Sequence, residues 1–240
     1  VLAVSAYLAY PLARSLAVKP SPMTEAEVVK ELTSLLDPTL KEREGWTPEE
    51  FFEAPDAILA AEAVTAHDQT KLKSLIQGGL DVNLAGQAGI TLLHWAFVEN
   101  NLGAFKLLLE SGADPDKKLT RSLHLNTSKP FMEGDSILFT CLRSTWKRGQ
   151  LEFFVAALEH ANEKDPRDYA GNTLLLLAAN PLSSNMGDKI VLAHIIKFGV
   201  DLDARSKYGD TAAMMAVSFD RPQLALQILE AGADPSIRNH

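Results

Sequence analysis

The sequence predicts an all-α fold in which short, similar units stack along one axis. The tetrapeptide Gly-Ala-Asp-Pro occurs at 112–115 and again at 232–235, each time shortly after a pair of aliphatic residues. Gly79 lies 33 residues before the first of these motifs, and Gly199 lies 33 residues before the second. A fixed period of this length is typical of repeat proteins, whose units bury apolar surface mainly against their neighbours.

Composition limits the possible functions. The 240 residues are 46% hydrophobic and 22% charged, so the chain can bury a large core. A net charge of -8 argues against nucleic acid as a partner and favours a positively charged protein surface. Cys141 is the single cysteine of the sequence, which excludes an intrachain disulfide and a cysteine-based zinc site.

Residues 1–18 are mostly apolar, are interrupted by Pro11 and Arg14, and do not begin with methionine. This pattern predicts the remnant of a secretory leader or of a membrane anchor, and it favours export from the cytoplasm. The alternative is a helix that packs on the folded body as an N-terminal cap. Membrane contact is expected only through this segment, if it is retained.

Residues 19–55 are predicted to contain a linker and an N-terminal helical cap. A Lys-Pro-Ser-Pro stretch at the start is typical of a stiff linker. Thr24 with Glu27 forms a capping-box pattern, and Thr47 followed by Pro48 marks a second helix start. Two short helices at these places would cover the apolar face of the first repeat.

Three segments carry the strongest internal similarity. The clearest, 89–116, reads GITLLHWAFVENNLGAFKLLLESGADPD. It resembles the ankyrin pattern G-x-T-P-L-H-x-A-A followed by V-x-x-L-L-x-x-G-A-D-P-N, with Leu92 in place of the proline. A second copy, 209–236, has Met214 where the family has histidine, and a third, 171–203, contains a few extra residues between its predicted helices.

Two weaker copies complete the array. In 134–162, Ser136 replaces the threonine, and 56–83 has lost the opening motif but keeps the spacing of the second helix. The repeats therefore extend over residues 56–240. The resemblance to the ankyrin family implies about five helix-turn-helix repeats stacked as a solenoid with an N-terminal helical cap.

The resemblance also assigns roles to the recurring residues. Thr91 would cap the first helix of its repeat, and His94 would tie neighbouring loops together. Gly112 would end the second helix in the left-handed conformation.

The sequence lacks the common catalytic and metal-binding motifs. It contains no H-E-x-x-H, no G-x-x-x-x-G-K-[ST] and no G-x-S-x-G. Its six histidines show no spacing typical of metal ligands. The sequence therefore predicts a protein that is not an enzyme and that has no catalytic residues, cofactor or metal site.

The ankyrin resemblance implies that partners bind to the loop tips and first helices. Candidate partner-binding residues at these places are Trp95, Glu99, Asn83, Gln87, Lys117, Arg121, Arg167, Tyr169, Arg205 and Tyr208. We expect Trp95 to be the main anchor, because exposed tryptophan is a typical hot spot, with a half-buried position between repeats as the alternative. Residues 117–133 exceed a standard loop and predict either a contact arm or a solvated linker.

An apolar leader, an acidic ankyrin stack and the lack of a catalytic motif resemble exported bacterial immunity proteins of the ankyrin class. Some of these neutralise secreted toxins, including phospholipase effectors of type VI secretion systems. By this analogy the chain would bind and inhibit a toxin enzyme with a basic active-site cleft, in the periplasm and possibly anchored to a membrane. The alternative is a general ankyrin scaffold, cytoplasmic or membrane-tethered, with no inhibitory role.

Overall fold

The helices of the structure come in pairs, as the repeat pattern predicts. The computed structural model describes residues 47–123, 131–144, 150–180 and 189–239. The helices in these ranges are α1 (Pro48–Phe51), α2 (Pro55–Thr65), α3 (Gln69–Gln77), α4 (Leu92–Val98), α5 (Leu102–Glu110), α6 (Ile137–Ser144), α7 (Leu151–His160), α8 (Leu174–Ala179), α9 (Lys189–Phe198), α10 (Ala212–Ser218) and α11 (Pro222–Glu230). A short 3-10 turn, Gln87–Gly89, precedes α4.

Five helix-turn-helix pairs follow α1 and stack in chain order. Each first helix (α2, α4, α6, α8, α10) contacts the first helix of the next pair, and each second helix (α3, α5, α7, α9, α11) contacts the next second helix. The buried apolar side chains form one core cluster along the whole stack. The predicted all-α solenoid of five repeats is therefore confirmed, and each pair is stabilised mainly by its neighbours.

The recurring threonines begin the first helices. The Thr173 hydroxyl accepts a hydrogen bond from the Leu176 amide at 3.3 Å, and the Thr211 hydroxyl accepts one from Met214 at 3.4 Å. Both threonines therefore satisfy an amide that has no partner within the helix. At the other end of a pair, Gly232 adopts a φ of 109°, which residues with a side chain rarely reach.

Side chains in the turns after the second helices join consecutive repeats. Asn83 donates from Nδ2 to the Gly112 carbonyl at 2.8 Å, and its Oδ1 accepts from the Asp114 amide at 2.8 Å. Three repeats later, the Asp203 carboxylate accepts from the Asp234 amide at 2.9 Å. These bonds fix the spacing of successive turns and occupy backbone groups that would otherwise have no partner.

Trp95 is fully buried, so the prediction that it is an exposed anchor is wrong. Its indole Nε1 donates to the Thr65 hydroxyl at 3.0 Å, and the rings of Phe51 and Phe52 lie 5.9 and 6.1 Å from the indole ring. Phe51 ends α1 and Phe52 follows it, and neither belongs to a repeat. Trp95 therefore joins the first two repeats to the segment before them and stabilises the stack.

The predicted leader (1–18) and the helix expected after Thr24 lie outside the described residues. At the second predicted start, Pro48 occupies the first turn of α1, but the Thr47 side chain makes no capping hydrogen bond. In the part of the chain that the structure describes, no helix combines the length and apolar character needed to cross a bilayer.

Candidate functional site

Four finger loops project between the end of one repeat and the first helix of the next. We define them as the first (85–90), second (118–136), third (166–172) and fourth (204–210) fingers. The first is closed by a hydrogen bond from the Gly86 amide to the Ile90 carbonyl at 2.7 Å. Equivalent bonds join Asp168 to Asn172 and Ser206 to Asp210, both at 2.9 Å. These hydrogen bonds fix the backbone of the tight turns at the tips.

The second finger is longer, and its described ends are paired and packed. The Leu119 amide donates to the Asp135 carbonyl and the Leu123 amide donates to the Phe131 carbonyl, both at 2.8 Å. The side chains of Leu119, Leu123 and Phe131 are buried. The alternative of a solvated linker for 117–133 is therefore wrong for these ends. Residues 124–130 lie outside the described part, so the predicted contact arm stays a prediction.

A charged cluster connects the second and third fingers. The Arg143 guanidinium on α6 forms an ion pair with Asp135 and a second one, of 2.8 Å, with Asp168. Both carboxylates are buried, and burial raises the pKa of Asp135 above its ordinary value although Arg143 acts to lower it. The Tyr169 amide donates to Asp135 at 3.0 Å, and the Tyr169 ring lies 5.2 Å from the Arg143 guanidinium carbon. This cluster therefore positions Tyr169 at the tip of the third finger.

Arginines link the third finger, the fourth finger and the turn that follows. Nη1 of Arg167 donates to the Gly171 carbonyl at 2.7 Å and to the Arg205 carbonyl at 3.2 Å. Nη1 of Arg205 donates in the same way to the Arg238 carbonyl at 3.2 Å. Each exposed guanidinium is thus held against the next repeat by a backbone acceptor.

The predicted site residues differ in exposure. Six are exposed (Gln87, Arg121, Arg167, Tyr169, Arg205 and Tyr208), Asn83, Lys117 and Glu99 are partly exposed, and Trp95 is buried. The structure brings Arg167 and Tyr169 together on the third finger, and it places Arg205 and Tyr208 together on the fourth. Asn83 uses its side chain to join two turns, so its main role is structural.

Sequence reasoning missed two residues of this surface. Lys207 is exposed at the tip of the fourth finger, with its ammonium 5.0 Å from the centre of the Tyr208 ring. Arg238 is also exposed. The repeat register could have identified Arg238. Arg238 lies six residues after Gly232, just as Arg205 lies six residues after Gly199.

His94 makes a local bond. Its Nδ1 accepts from the Thr91 amide at 3.3 Å and lies 2.9 Å from the Thr91 hydroxyl. Among the described residues its buried Nε2 has no hydrogen-bond partner, so the predicted link between loops is not seen there. Burial lowers the pKa of His94 from 6.5 to about 3, which keeps the imidazole neutral.

A separate apolar surface lies on the last repeat. Val217 is 64% exposed and Leu229 is 38% exposed. By register Val217 corresponds to Phe97, which is fully buried against the following repeat.

Over the described ranges, no group of three or more His, Cys, Asp or Glu residues could hold a metal ion.

Comparisons with known proteins find similarity to ankyrin-repeat proteins. The family model described as Ankyrin repeat matches residues 88–118. The crystal structure of EF0377, an ankyrin repeat protein, has a TM-score of 0.57 and 23% identity, and the match covers 76% of this chain and 85% of that one. The protein named "Putative palmitoyltransferase ZDHHC13" from Danio rerio is 25% identical over 181 residues, or 75% of this chain. The aligned part is only 24% of that protein's length and lies in its ankyrin region.

Proposed function

We propose that this chain binds and inhibits a cognate partner through its fingers, because its ankyrin-like repeat fold is typical of protein-protein interaction modules. The partner that we propose is a secreted toxin enzyme, such as a phospholipase effector. Inhibition would follow from occlusion of the toxin's active site, so the chain would act by binding and not by catalysis.

The observation that carries this proposal is the exposure of the third and fourth fingers. Tyr169 and Tyr208 are 52% and 68% exposed, on turns that are closed by backbone hydrogen bonds. Tyrosine and arginine are enriched among hot-spot residues, and a rigid turn loses little entropy when it binds. The ankyrin-repeat fold is typically non-enzymatic, which agrees with a binding role.

The cellular setting is part of the proposal. The apolar stretch 1–18 supports export, and we propose a periplasmic location. The expected basic cleft of the toxin rests on the net charge of -8. Net charge governs long-range attraction, whereas the contact surface depends on the residues that the fingers present.

The proposal is tested with the 240-residue chain as bait in extracts of its native host, followed by mass spectrometry. Tyr208→Ala removes an exposed finger side chain. Leu226→Ala is the matched control, because Leu226 is 55% exposed on α11 and lies outside the fingers. Trp95→Ala is unsuitable for this purpose, since a buried tryptophan reports on folding.

Each result has a definite meaning. Recovery of one enzyme, inhibited by the added chain and bound more weakly by Tyr208→Ala than by Leu226→Ala, would support an inhibitor that uses its fingers. Recovery of partners with no enzyme inhibited would favour the alternative of a general scaffold. If no protein is retained above the level of an unrelated bait, the binding role itself is refuted.

A further inference from the structure

We propose that the third and fourth fingers recognise an acidic, extended segment of the partner protein. This inference rests on the proposed partner-binding function and deepens it by assigning the chemistry of the contact. The net charge of -8 would suggest a basic contact surface on the partner. This inference assigns an acidic contact segment instead.

The tips of these fingers are positively charged, although the chain as a whole is acidic. Residues 166–172 and 204–209 contain three exposed cations, Arg167, Arg205 and Lys207. The single carboxylate in these two ranges, Asp168, is 7% exposed and is paired with Arg143. The two tips therefore present a local charge of the opposite sign to the rest of the protein.

The acidic residues beside these tips, including Asp210 at the end of the fourth finger, make structural hydrogen bonds. The Asp165 carboxylate accepts from the Asp201 amide at 2.9 Å, and Asp203 accepts from Asp234 at 2.9 Å. Asp210 accepts from the side chain of Asn239 at 2.9 Å. Each of these carboxylates therefore has a structural hydrogen-bond partner, whereas the exposed charged side chains of residues 166–172 and 204–209 are the three cations.

Two of the three cations are held in place before a partner binds. Arg167 donates through Nη1 to the Arg205 carbonyl of the fourth finger, and Arg205 donates through Nη1 to the Arg238 carbonyl after the last repeat. A guanidinium has five N–H donors in a fixed plane, so these bonds leave donors for a carboxylate. Because the side chains are already ordered, less conformational entropy is lost on binding.

Aromatic rings lie beside these cations. Tyr208 is exposed next to Lys207, and Tyr169 is exposed two residues after Arg167. Such rings can cover the apolar parts of a bound peptide while the cations contact its carboxylates. An acidic segment that also carries apolar side chains fits this arrangement.

Basic and aromatic residues together can also bind single-stranded nucleic acid. A protein segment is favoured here, because the ankyrin fold is typical of protein-binding modules. Nucleic acid is therefore included as an outcome of the test.

The test uses the whole chain and three labelled probes: a short Glu-rich peptide containing phenylalanine, its Lys-rich counterpart, and a short oligouridine. Binding is measured by fluorescence anisotropy at low and at physiological salt, and NMR amide shifts locate it. The finger variant is Arg167→Gln/Arg205→Gln/Lys207→Gln. The control variant, Lys73→Gln/Lys106→Gln/Lys197→Gln, removes three exposed lysines from second helices. Both variants have the same net charge, so only the position of the lost cations differs.

We expect the Glu-rich peptide to shift amides of residues 166–172 and 204–209 and to bind more weakly at higher salt. The finger variant should weaken this binding by roughly tenfold or more, and the control variant should retain it. Lys207→Glu alone should weaken it by about threefold or more, which keeps the test valid if the triple variant unfolds.

Three results would overturn the inference: equal binding by the finger and control variants, preference for the Lys-rich peptide, or tighter binding of the oligouridine. These results leave the pull-down unaffected. Conversely, a pull-down that recovers no partner, together with peptide binding at the fingers, would reject the proposed function while the charge assignment stands.

Discussion

Replacement of His94 should remove a strong dependence of stability on pH. In the native state the His94 Nδ1 accepts a hydrogen bond from the Thr91 amide, so the ring proton must be on Nε2. Protonation of Nδ1 would break this bond and create a buried charge. Burial therefore lowers the pKa of His94 from 6.5 to about 3.

The sign and size of the effect follow from this shift. The unfolded chain binds a proton at His94 near pH 6.5, whereas the folded chain does not do so until about pH 3. The stability contribution of neutral His94 is thus complete above pH 6.5 and is lost as the pH falls towards 3. Between pH 6.5 and pH 5 the loss is about 2 kcal/mol, because each pH unit corresponds to about 1.4 kcal/mol.

The measurement is urea unfolding of the wild type and His94→Gln at pH 7 and pH 5. Glutamine has no titrating group, so the free energy of unfolding should fall by about 2 kcal/mol more in the wild type than in the variant. His160→Gln, which removes an exposed histidine, should retain the wild-type loss. An equal loss in the wild type and His94→Gln would show that His94 is not buried as a neutral group.

Three further predictions concern stability and are checked by urea unfolding. Phe97→Ala should cost about 3–5 kcal/mol, whereas Val217→Ala at the equivalent, exposed position should stay within about 0.5 kcal/mol, and similar costs would contradict the stacking register. Arg143→Met should cost about 3–5 kcal/mol at pH 7 and less at pH 5. Arg143 lowers the pKa of Asp135, so its loss raises that pKa further, and the variant should regain stability as Asp135 becomes protonated on acidification. Trp95→Ala should cost about 3–5 kcal/mol while the folded protein keeps its affinity for the acidic peptide, and a selective loss of affinity would restore Trp95 as a contact residue.

The sequence predicted the repeats because the same backbone problems recur in each one. A first helix needs an acceptor for its terminal amides, which Thr173 and Thr211 supply. A second helix needs a residue that tolerates positive φ, which Gly232 supplies. These requirements act over a few residues, so they leave a local pattern that can be read without the fold.

The burial of Trp95 left no such local signal. Its position in the repeat is one that can face a partner, but Phe51 and Phe52 cover it from outside the repeats. Arg143 was missed for a similar reason, since its partners Asp135 and Asp168 lie 8 and 25 residues away in the sequence. Contacts between elements that the repeat pattern does not relate require the tertiary structure.

The identities of the residues at the finger tips are not set by the backbone requirements of the fold. The turns close through backbone hydrogen bonds at Asp168 and Ser206, and residues at the tips can vary without loss of these bonds. Tyr169 and Lys207 occupy equivalent tip positions, two residues before Gly171 and Gly209. Closure of the turns therefore places no strong demand on the side chains at these two tip positions, and we attribute their aromatic and basic character to the proposed partner.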